Sequence, residues 1–234
     1  MSSCCSVFCA TSQRQFTAAV ARRDLAQYRK RGPDATTRLL KDAILGAGSG
    51  SSVLDIGSGI GALSFELLAA GVRRATAVDA STAYLAAARE EAGRRNLMDR
   101  LELIHGDFVA MAGDIQPADI VALDRVVCCY PTYAQLIEAA LKRSSRMFAF
   151  SFPRDRWFVR AVFAVENLGR AMLRNPFRAF VHPARAMQAL LEQHGFTRMQ
   201  RSETLVWSAD LYVRAASGSP AALGQSVAAT PREQ

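Results

Sequence analysis

A glycine-rich segment with an aspartate just before it is the part of this sequence best suited to chemistry. Residues 53–61 read Val-Leu-Asp-Ile-Gly-Ser-Gly-Ile-Gly, which predicts a buried strand that ends in a tight turn, followed by a helix over 62–70. The three glycines let a ligand approach the backbone, and they permit the positive φ that such turns often require. The acidic side chain of Asp55 suits a positively charged cofactor better than it suits a pyrophosphate.

Three further aspartates stand where predicted strands end. Asp79 ends the second strand, Asp107 follows the third, and Asp124 ends the fourth. Open α/β sheets bind their ligands at the carboxyl ends of the strands, so we expect these side chains and Asp55 to surround one site. A carboxylate at position 79 can accept both ribose hydroxyls of an adenosyl group, and Asp107 with Phe108 can bind and cover an adenine. Each aspartate taken alone also fits a helix cap or a turn.

The elements that must position these residues alternate between strands and helices. This alternation predicts βαβ units and a parallel sheet, closed by an antiparallel hairpin over residues 196–215. The predicted strands are 53–56, 75–78, 101–105, 119–123, 146–152, 196–202 and 204–215. The predicted helices are 15–30, 34–45, 62–70, 81–95, 132–141, 156–174 and 183–194.

We predict a single domain over residues 15–216. Residues 15–46 form its N-terminal helices, and residues 153–182 form an insertion that covers the molecule on which the protein acts. Residues 1–14 are predicted to be flexible, and residues 217–234 to be a disordered tail because they are rich in Gly, Ser, Ala, Pro and Gln. The helix within the insertion has an apolar stripe, which packs on the sheet, forms a lid or contacts a membrane surface. This stripe contains Phe158, Val162, Val165, Leu168 and Met172.

Charge is distributed unevenly along the chain, whose formal net charge is +8. Between Lys142 and Arg201 there are twelve Lys and Arg residues and three acids (12 − 3 = +9), so this segment carries the whole excess. It favours an anionic substrate, an acidic membrane surface or nucleic acid, although solvated arginine-rich helix faces are also common. Five cysteines without regular spacing indicate reduced thiols rather than a metal site, and no apolar run is long enough to span a bilayer. We therefore expect a cytoplasmic protein.

Four segments resemble the successive motifs of class I S-adenosylmethionine-dependent methyltransferases over residues 36–152. They are VLDIGSGIG, AVDAS, LIHGDF and PADIVALDRVV. The resemblance implies an α/β fold with a Rossmann-like seven-stranded sheet, mostly parallel with the last strand antiparallel, helices on both faces, and S-adenosylmethionine as methyl donor. Residues 57–62 alone also fit a relaxed dinucleotide fingerprint, but Asp55 and the helices before the first strand disfavour a dehydrogenase.

The resemblance also assigns the cofactor contacts. It implies that the glycine loop approaches the methionine moiety, that the second strand end binds the ribose, and that the third binds the adenine. The fourth strand end would line the methyl-donor pocket. The expected cofactor-binding residues are Asp55, Gly57, Ser58, Gly59, Gly61, Asp79, Ala80, Gly106, Asp107, Phe108, Asp124 and Arg125.

The region after Asp124 bears on the acceptor. Its Tyr130-Pro131 pair is similar to that of magnesium-protoporphyrin O-methyltransferases and related small-molecule enzymes, although that family has a histidine where this chain has Cys129. Tyr28 resembles the tyrosine with which that group closes its site over the cofactor. Tyr28 and Tyr130 also fit half-buried packing positions. His182 is a candidate base for a hydroxyl acceptor, or a structural residue before a helix.

The sequence thus favours a methyltransferase that acts on a small, acidic or lipophilic molecule, at a carboxylate or hydroxyl oxygen. A carboxylate acceptor is already ionised and needs no base, whereas a hydroxyl often benefits from one. The alternatives are an RNA methyltransferase, disfavoured because no separate RNA-binding module is evident, and a non-catalytic protein that binds S-adenosylmethionine. Peripheral contact with a membrane is compatible with the insertion.

Overall fold

The computed structural model describes residues 7–48 and 50–215. Within these residues, strands and α-helices alternate, and two short 3-10 turns lie at Ala112–Asp114 and Val127–Cys129. The strands are β1 (Ser52–Ile56), β2 (Arg74–Asp79), β3 (Leu101–His105), β4 (Ala118–Leu123), β5 (Ser144–Pro153), β6 (Phe196–Glu203) and β7 (Trp207–Arg214). The helices are α1 (Val7–Gln15), α2 (Ala18–Arg31), α3 (Ala35–Gly46), α4 (Ala62–Ala69), α5 (Thr82–Arg94), α6 (Phe108–Met111), α7 (Tyr133–Leu141), α8 (Trp157–Met172) and α9 (Ala184–Gln193).

All seven strands belong to one sheet, in the order β3-β2-β1-β4-β5-β7-β6. β1 to β5 are parallel, whereas β7 runs antiparallel to both β5 and β6. The predicted fold class is therefore confirmed. The chain adds β2 and β3 on one side of β1 and then returns to add β4 on the other side. Such a switch point opens a crevice at the carboxyl ends of the strands, which is where α/β sheets bind ligands.

Helices cover both faces of the sheet, because successive side chains of each strand point to opposite faces. On one face Val53 and Ile120 pack in a core with side chains of α3 and α4. On the other face Leu54 and Val121 pack with side chains of α7 and α9. This double burial explains the nearly continuous apolar sequence of the central strands. Asp55 interrupts that sequence at a buried position, which marks it as a residue that folding alone does not require.

The N-terminal segment differs from the prediction. Residues 7–14, predicted to be flexible, lie in α1, which buries the side chains of Cys9 and Ser12. α1 carries few large apolar residues, so its helix depends on packing against the rest of the domain rather than on its own periodicity. Residues 1–6 lie outside the described residues, as do 216–234, which include the predicted tail.

The remaining N-terminal helices are close to the prediction, with one change at their start. The helix predicted over 15–30 begins only at Ala18, because Thr17 caps it by accepting a hydrogen bond from the backbone amide of Val20. Gly32 ends this helix with a φ of 72°, and Asp34 caps α3. α8 occupies the predicted insertion. None of the helices in the described part of the chain is long and apolar enough to cross a membrane.

Candidate functional site

The carboxyl ends of the central strands open into a cavity of about 820 Å³. The four aspartates at the carboxyl ends of β1 to β4 all line it, so the structure brings together the acids that the sequence singles out. Three of them are at most 8% exposed. Of the predicted cofactor residues, Gly61 lies just outside the lining, and the others line the cavity: Asp55, Gly57, Ser58, Gly59, Asp79, Ala80, Gly106, Asp107, Phe108, Asp124 and Arg125.

The glycine loop joins β1 to α4 in a left-handed backbone conformation. The φ values are 64° at Gly57, 56° at Gly59 and 82° at Gly61. Residues other than glycine rarely adopt such values. A Cβ atom on Gly57 would stand 2.5 Å from Val126 Cγ2, so this glycine is needed for packing as well. A Cβ atom on Gly59 would meet no protein atom within 4 Å. Gly59 therefore leaves free space that a ligand can occupy.

Asp79 connects the end of β2 to the glycine loop. Its Oδ2 accepts a hydrogen bond of 2.8 Å from the Gly59 amide, and its Oδ1 accepts one of 2.7 Å from the Ser81 amide. Burial raises the pKa of Asp79 to about 6, although these two hydrogen bonds act in the opposite direction. An ionised carboxylate has about four lone-pair sites, so both oxygens can still accept hydrogen bonds from a ligand such as a ribose.

Asp55 is almost completely buried beneath the loop, at 1% exposure. Its Oδ2 accepts a hydrogen bond of 2.7 Å from the Ser64 hydroxyl of α4. Burial raises the pKa of this carboxyl to about 7, and the charges of Asp124 and Asp79 raise it further. A buried carboxyl without a cation is stabilised by a positively charged ligand, so the electrostatics of this position suit an ammonium or a sulfonium.

The side of the cavity beyond β3 contains an acid fixed by an aromatic residue. The Tyr130 hydroxyl lies 3.2 Å and 3.3 Å from the two carboxylate oxygens of Asp107. Asp107 also caps α6 by accepting a hydrogen bond of 3.1 Å from the Val109 amide. The helix-cap interpretation therefore holds for Asp107 without excluding a ligand contact. Phe108 is 4% exposed, and its ring contributes an apolar wall to the cavity.

Asp124 is held by hydroxyl groups on both sides. Thr37 of α3 and Ser151 of β5 each donate a hydrogen bond of 2.6 Å to its carboxylate. The next residue, Arg125, has a φ of 59°, and its guanidinium pairs with Asp34 at the start of α3. A non-glycine residue in this conformation is uncommon and often stands at a functional site. These contacts fix the fourth strand end relative to the N-terminal helices.

Tyr28 lines the cavity, but its hydroxyl is engaged elsewhere. It donates a hydrogen bond of 2.8 Å to Glu66 of α4, and burial raises the pKa of the phenol. Its ring stacks on Phe65 at 6.2 Å and lies under the guanidinium of Arg95. These contacts support the packing interpretation of Tyr28, in which α2 is fixed to α4. A role for its hydroxyl in catalysis remains a prediction.

His182 requires a correction, because the structure places it outside the cavity lining. Its Nε2 lies 3.0 Å from the Tyr130 carbonyl oxygen, and its ring packs against Tyr133 and Phe180. Burial lowers its pKa, which favours the neutral ring. The segment before α9 folds back on the 3-10 turn at Val127–Cys129 through a backbone hydrogen bond from Phe180 to Cys128. This loop path directs the imidazole into the packing, which supports the structural interpretation of His182 that the sequence also left open.

The cavity also contains residues that the sequence did not single out. They come from α1, α2, α8, the segments that follow α1 and α8, and the start of β7, and we call the part of the cavity that they line the acceptor compartment. The sequence predicted that the insertion containing α8 would contribute to the site. It did not predict a contribution from α1, because the residues of α1 that line the cavity show no helical apolar repeat. The main residues of this compartment are Phe8, Ser12, Phe16, Arg23, Phe163, Glu166, Arg170, Phe177 and Trp207.

Two buried hydroxyls in the cavity wall have no hydrogen-bond partner among the described residues: Ser12 Oγ and Ser58 Oγ. An unsatisfied buried hydroxyl costs about 1–3 kcal/mol, so both positions suit a ligand with polar atoms. Ser58 is in the glycine loop beside the carboxylates of Asp55 and Asp79, each of which can accept further hydrogen bonds. The residues present therefore fit a ligand with an amino-acid end and a nucleoside end, as S-adenosylmethionine has.

Comparison with known proteins agrees with this geometry. Residues 53–149, under half of the chain, match the family model of a methyltransferase domain. No curated protein has a matching sequence. The fold is similar to that of magnesium protoporphyrin IX methyltransferase from Synechocystis PCC 6803, solved with bound SAH, at 18% identity and a TM-score of 0.69 over 89% of this chain and 100% of that chain.

Two other solved structures show how widely this fold is shared. An O-methyltransferase family protein from Burkholderia thailandensis has a TM-score of 0.70 at 14% identity, over 89% of this chain and 64% of that chain. A putative RNA methyltransferase from Pyrococcus horikoshii has a TM-score of 0.54 at 17% identity, over 81% of this chain and 86% of that chain. Residues 53–149 thus match the model of a methyltransferase domain, and the described chain shares the fold of these solved methyltransferases.

Proposed function

We propose that this methyltransferase moves the methyl group of S-adenosylmethionine to an oxygen of a small molecule. The observation that carries the proposal is that one cavity is lined by two sets of residues. We call the strand-end acids and the glycine loop its first compartment, and the acceptor compartment, lined by the aromatic side chains with their neighbours, its second compartment. Small-molecule sites occupy about 300–1,000 Å³, so a cavity of about 820 Å³ is large enough for a cofactor and a modest acceptor together.

The first compartment supplies the groups that would hold the cofactor. Asp79 would accept the ribose hydroxyls, and Asp107 with Phe108 would bind the adenine. The backbone at Gly59 and the free hydroxyl of Ser58 would contact the methionine end, whose ammonium suits the buried charge of Asp55. When bound, S-adenosylmethionine supplies an activated methyl group, so the main tasks of these residues are binding and orientation.

The second compartment suits a flat, apolar molecule that carries a negative charge. Phe163, Phe177 and Trp207 provide apolar walls, with the rings of Phe163 and Trp207 in edge contact at 6.2 Å. Arg170 brings a guanidinium to this wall, 5.6 Å from the centre of the Phe177 ring. It pairs with Glu166 through a bond of 2.9 Å, so it can bind an anion by exchanging that partner. An acidic, lipophilic acceptor matches both features.

The state of the tyrosines supports an acceptor that is already ionised. The hydroxyls of Tyr28 and Tyr130 each donate to a carboxylate, and burial raises both pKa values. A phenol with a raised pKa does not act as a base near neutral pH. A carboxylate acceptor needs no base, because its oxygen is the nucleophile as it stands. We therefore favour a carboxylate over a hydroxyl.

The second candidate is an RNA methyltransferase, which the positive segment from Lys142 to Arg201 favours. The aromatic compartment counts against it, since α1, α2 and α8 contribute walls on the acceptor side and leave less room for a polymer. A filter-binding titration over a range of salt concentrations separates the two, because phosphate-driven binding weakens steeply with added salt.

The direct test is incubation of the protein with a metabolite extract and methyl-labelled S-adenosylmethionine, followed by mass spectrometry. We expect a labelled metabolite whose fragments place the methyl group on a carboxylate oxygen. The Asp79→Ala variant serves as the control and should give no labelled product. Label on RNA alone would support the second candidate. Binding of S-adenosylhomocysteine without any labelled product would indicate a non-catalytic binding protein.

A further inference from the structure

The outward side of α8 is apolar and open to solvent. The sequence allowed three roles for the apolar stripe of this helix: packing on the sheet, forming a lid, or contacting a membrane. The prediction of packing on the sheet is wrong for the residues on its outer side, because they are exposed. Only Val159 and Phe163 of this helix are buried. The exposed residues recur at helical spacing on one face: Trp157 (82% exposed), Val165 (70%), Leu168 (63%) and Met172 (78%).

Arginines stand at both ends of the helix that carries this face and at the start of the next helix. Arg156 and Arg174 stand at the two ends of α8, and Arg185 stands in the first turn of the next helix, α9. All three are exposed and form no ion pair within the described residues. From residue 154 to 185 the chain has seven arginines and two acids (7 − 2 = +5). An apolar helix face with cations at its borders is the pattern of helices that lie in the interface of an anionic membrane.

We propose that α8 docks on the surface of a membrane that contains anionic lipids. The exposed apolar side chains would enter the boundary between head groups and acyl chains, with Trp157 at the level of the head groups. Arg156, Arg174 and Arg185 would contact the lipid phosphates. The helix has 16 residues and is about 24 Å long, so it lies along the surface.

Charge decides between this partner and a second copy of the chain. In a symmetric dimer through α8, the same patch of both copies would meet, and the arginines of one copy would face those of the other. The chain as a whole carries +8, which adds to this repulsion. An anionic lipid surface instead provides apolar contact and opposite charge at once.

The inner side of the same helix faces the cavity, where Phe163, Glu166 and Arg170 form part of the lining. Docking through the outer side would therefore hold the acceptor compartment next to the membrane. A lipophilic acceptor could then enter from the lipid phase. This last step rests on the proposed function, whereas docking itself does not depend on the acceptor.

Co-sedimentation of the full chain with lipid vesicles tests the proposal. We expect binding to vesicles of phosphatidylcholine with phosphatidylserine, weaker binding at high salt, and little binding to phosphatidylcholine alone. The double variant Val165→Glu/Leu168→Glu should weaken binding at least about tenfold, because it replaces buried apolar contact with charge. The matched control is Met98→Glu/Met199→Glu, at exposed apolar residues (44% and 57% exposed) outside α8.

Thermal melting by circular dichroism shows whether each variant is folded, which is expected because all four positions are exposed. Docking is contradicted if the α8 variant binds anionic vesicles as well as the wild type, or if the wild type does not bind them. Equal loss of binding in the control variant also contradicts it. So does a wild-type dimer in analytical ultracentrifugation that the α8 variant dissociates, because a second copy would then cover this face. Loss of vesicle binding leaves S-adenosylhomocysteine binding unchanged, which keeps this test separate from that of the proposed function.

Discussion

The backbone amide of Gly59 donates a hydrogen bond of 2.8 Å to the carboxylate of Asp79. This contact joins the loop after β1 to the end of β2, which are neighbouring strands in the sheet. The acid expected at the ribose and the loop expected at the methionine end therefore position each other. A change at either residue should weaken cofactor binding through both parts of the site.

Alanine substitutions at Gly57 and Gly59 should have different effects. Both positions have a left-handed backbone, so each alanine should cost about 1–2 kcal/mol of folding stability. At Gly57 the new methyl group also collides with Val126, which should cost about 1–3 kcal/mol more. At Gly59 the methyl group enters the cavity, so the main loss should be S-adenosylhomocysteine affinity. Thermal melting measures the stability of both variants, and calorimetry measures their affinity for S-adenosylhomocysteine. Equal affinity in the wild type and Gly59→Ala would contradict the prediction.

Cofactor affinity should increase as the pH rises from 5.5 to 7.5. Burial raises the pKa of Asp55 to about 7 and that of Asp79 to about 6, against about 3.9 in an unfolded chain. A ligand with an ammonium group favours the ionised carboxylates, so ligand binding must release these protons at low pH. We expect S-adenosylhomocysteine affinity to increase at least about tenfold over this range. Asp55→Asn should flatten the dependence, and Asp42→Asn, at an exposed position, should not.

The same shifts set the pH dependence of stability without ligand. Between about pH 4 and pH 7 the folded chain holds protons on Asp55 and Asp79 that the unfolded chain has released. These two groups therefore make the free energy of unfolding decrease as the pH rises through this window. Denaturant titrations of wild type and Asp55→Asn at a series of pH values measure the contribution. If the free energy of unfolding depends on pH in the same way in the wild type and in Asp55→Asn, the pKa of Asp55 is not raised by folding.

Tyr130→Phe should change cofactor binding more than turnover. The substitution removes the hydroxyl that donates to Asp107 and leaves the ring contact with Phe8, at 4.7 Å, in place. Loss of one such hydrogen bond costs about 0.5–1.5 kcal/mol, or roughly a twofold to thirteenfold loss of S-adenosylhomocysteine affinity. Methyl transfer at saturating donor should stay within about tenfold, whereas loss of a general base costs about a hundredfold or more. Tyr133→Phe, outside the cavity, is the control.

His182→Gln should lower the melting temperature and leave the rate at saturating substrate nearly unchanged. The imidazole packs between Tyr133 and Phe180 and bonds to the Tyr130 carbonyl, so its loss weakens the core around the 3-10 turn. A stable variant with a rate reduced about a hundredfold would restore His182 as a base.

The sequence was sufficient for the sheet and for the strand-end acids, because both depend on local patterns. Apolar runs buried on two faces and aspartates at their ends are visible without knowledge of tertiary contacts. β3 was predicted at its observed bounds, Leu101–His105. Even the helix-cap alternative for Asp107 was correct, since one side chain caps α6 and faces the cavity.

The acceptor compartment could not be predicted in the same way. Phe8 and Ser12 reach the cavity because Phe8 packs on Tyr130 and the residue after α1, Phe16, accepts a hydrogen bond from Ser81, and neither contact leaves a periodic signal. His182 has a suitable residue type and position, but the loop path around Phe180 turns it away from the site. The outward side of α8 has the periodicity of a buried stripe, and only the structure shows that it is exposed.

In this account, the strand-end acids and the glycine loop together form a site for S-adenosylmethionine. Isothermal titration of the wild type with S-adenosylhomocysteine tests it most directly, with Asp79→Ala alongside and Asp42→Ala as a control at an exposed carboxylate. We predict one-to-one binding by the wild type and by Asp42→Ala. Affinity should fall at least about tenfold in Asp79→Ala, because the variant loses the hydrogen bond to Gly59 and the carboxylate proposed to accept the ribose hydroxyls. No heat of binding with the folded wild type, or equal affinity in Asp79→Ala, would contradict the claim.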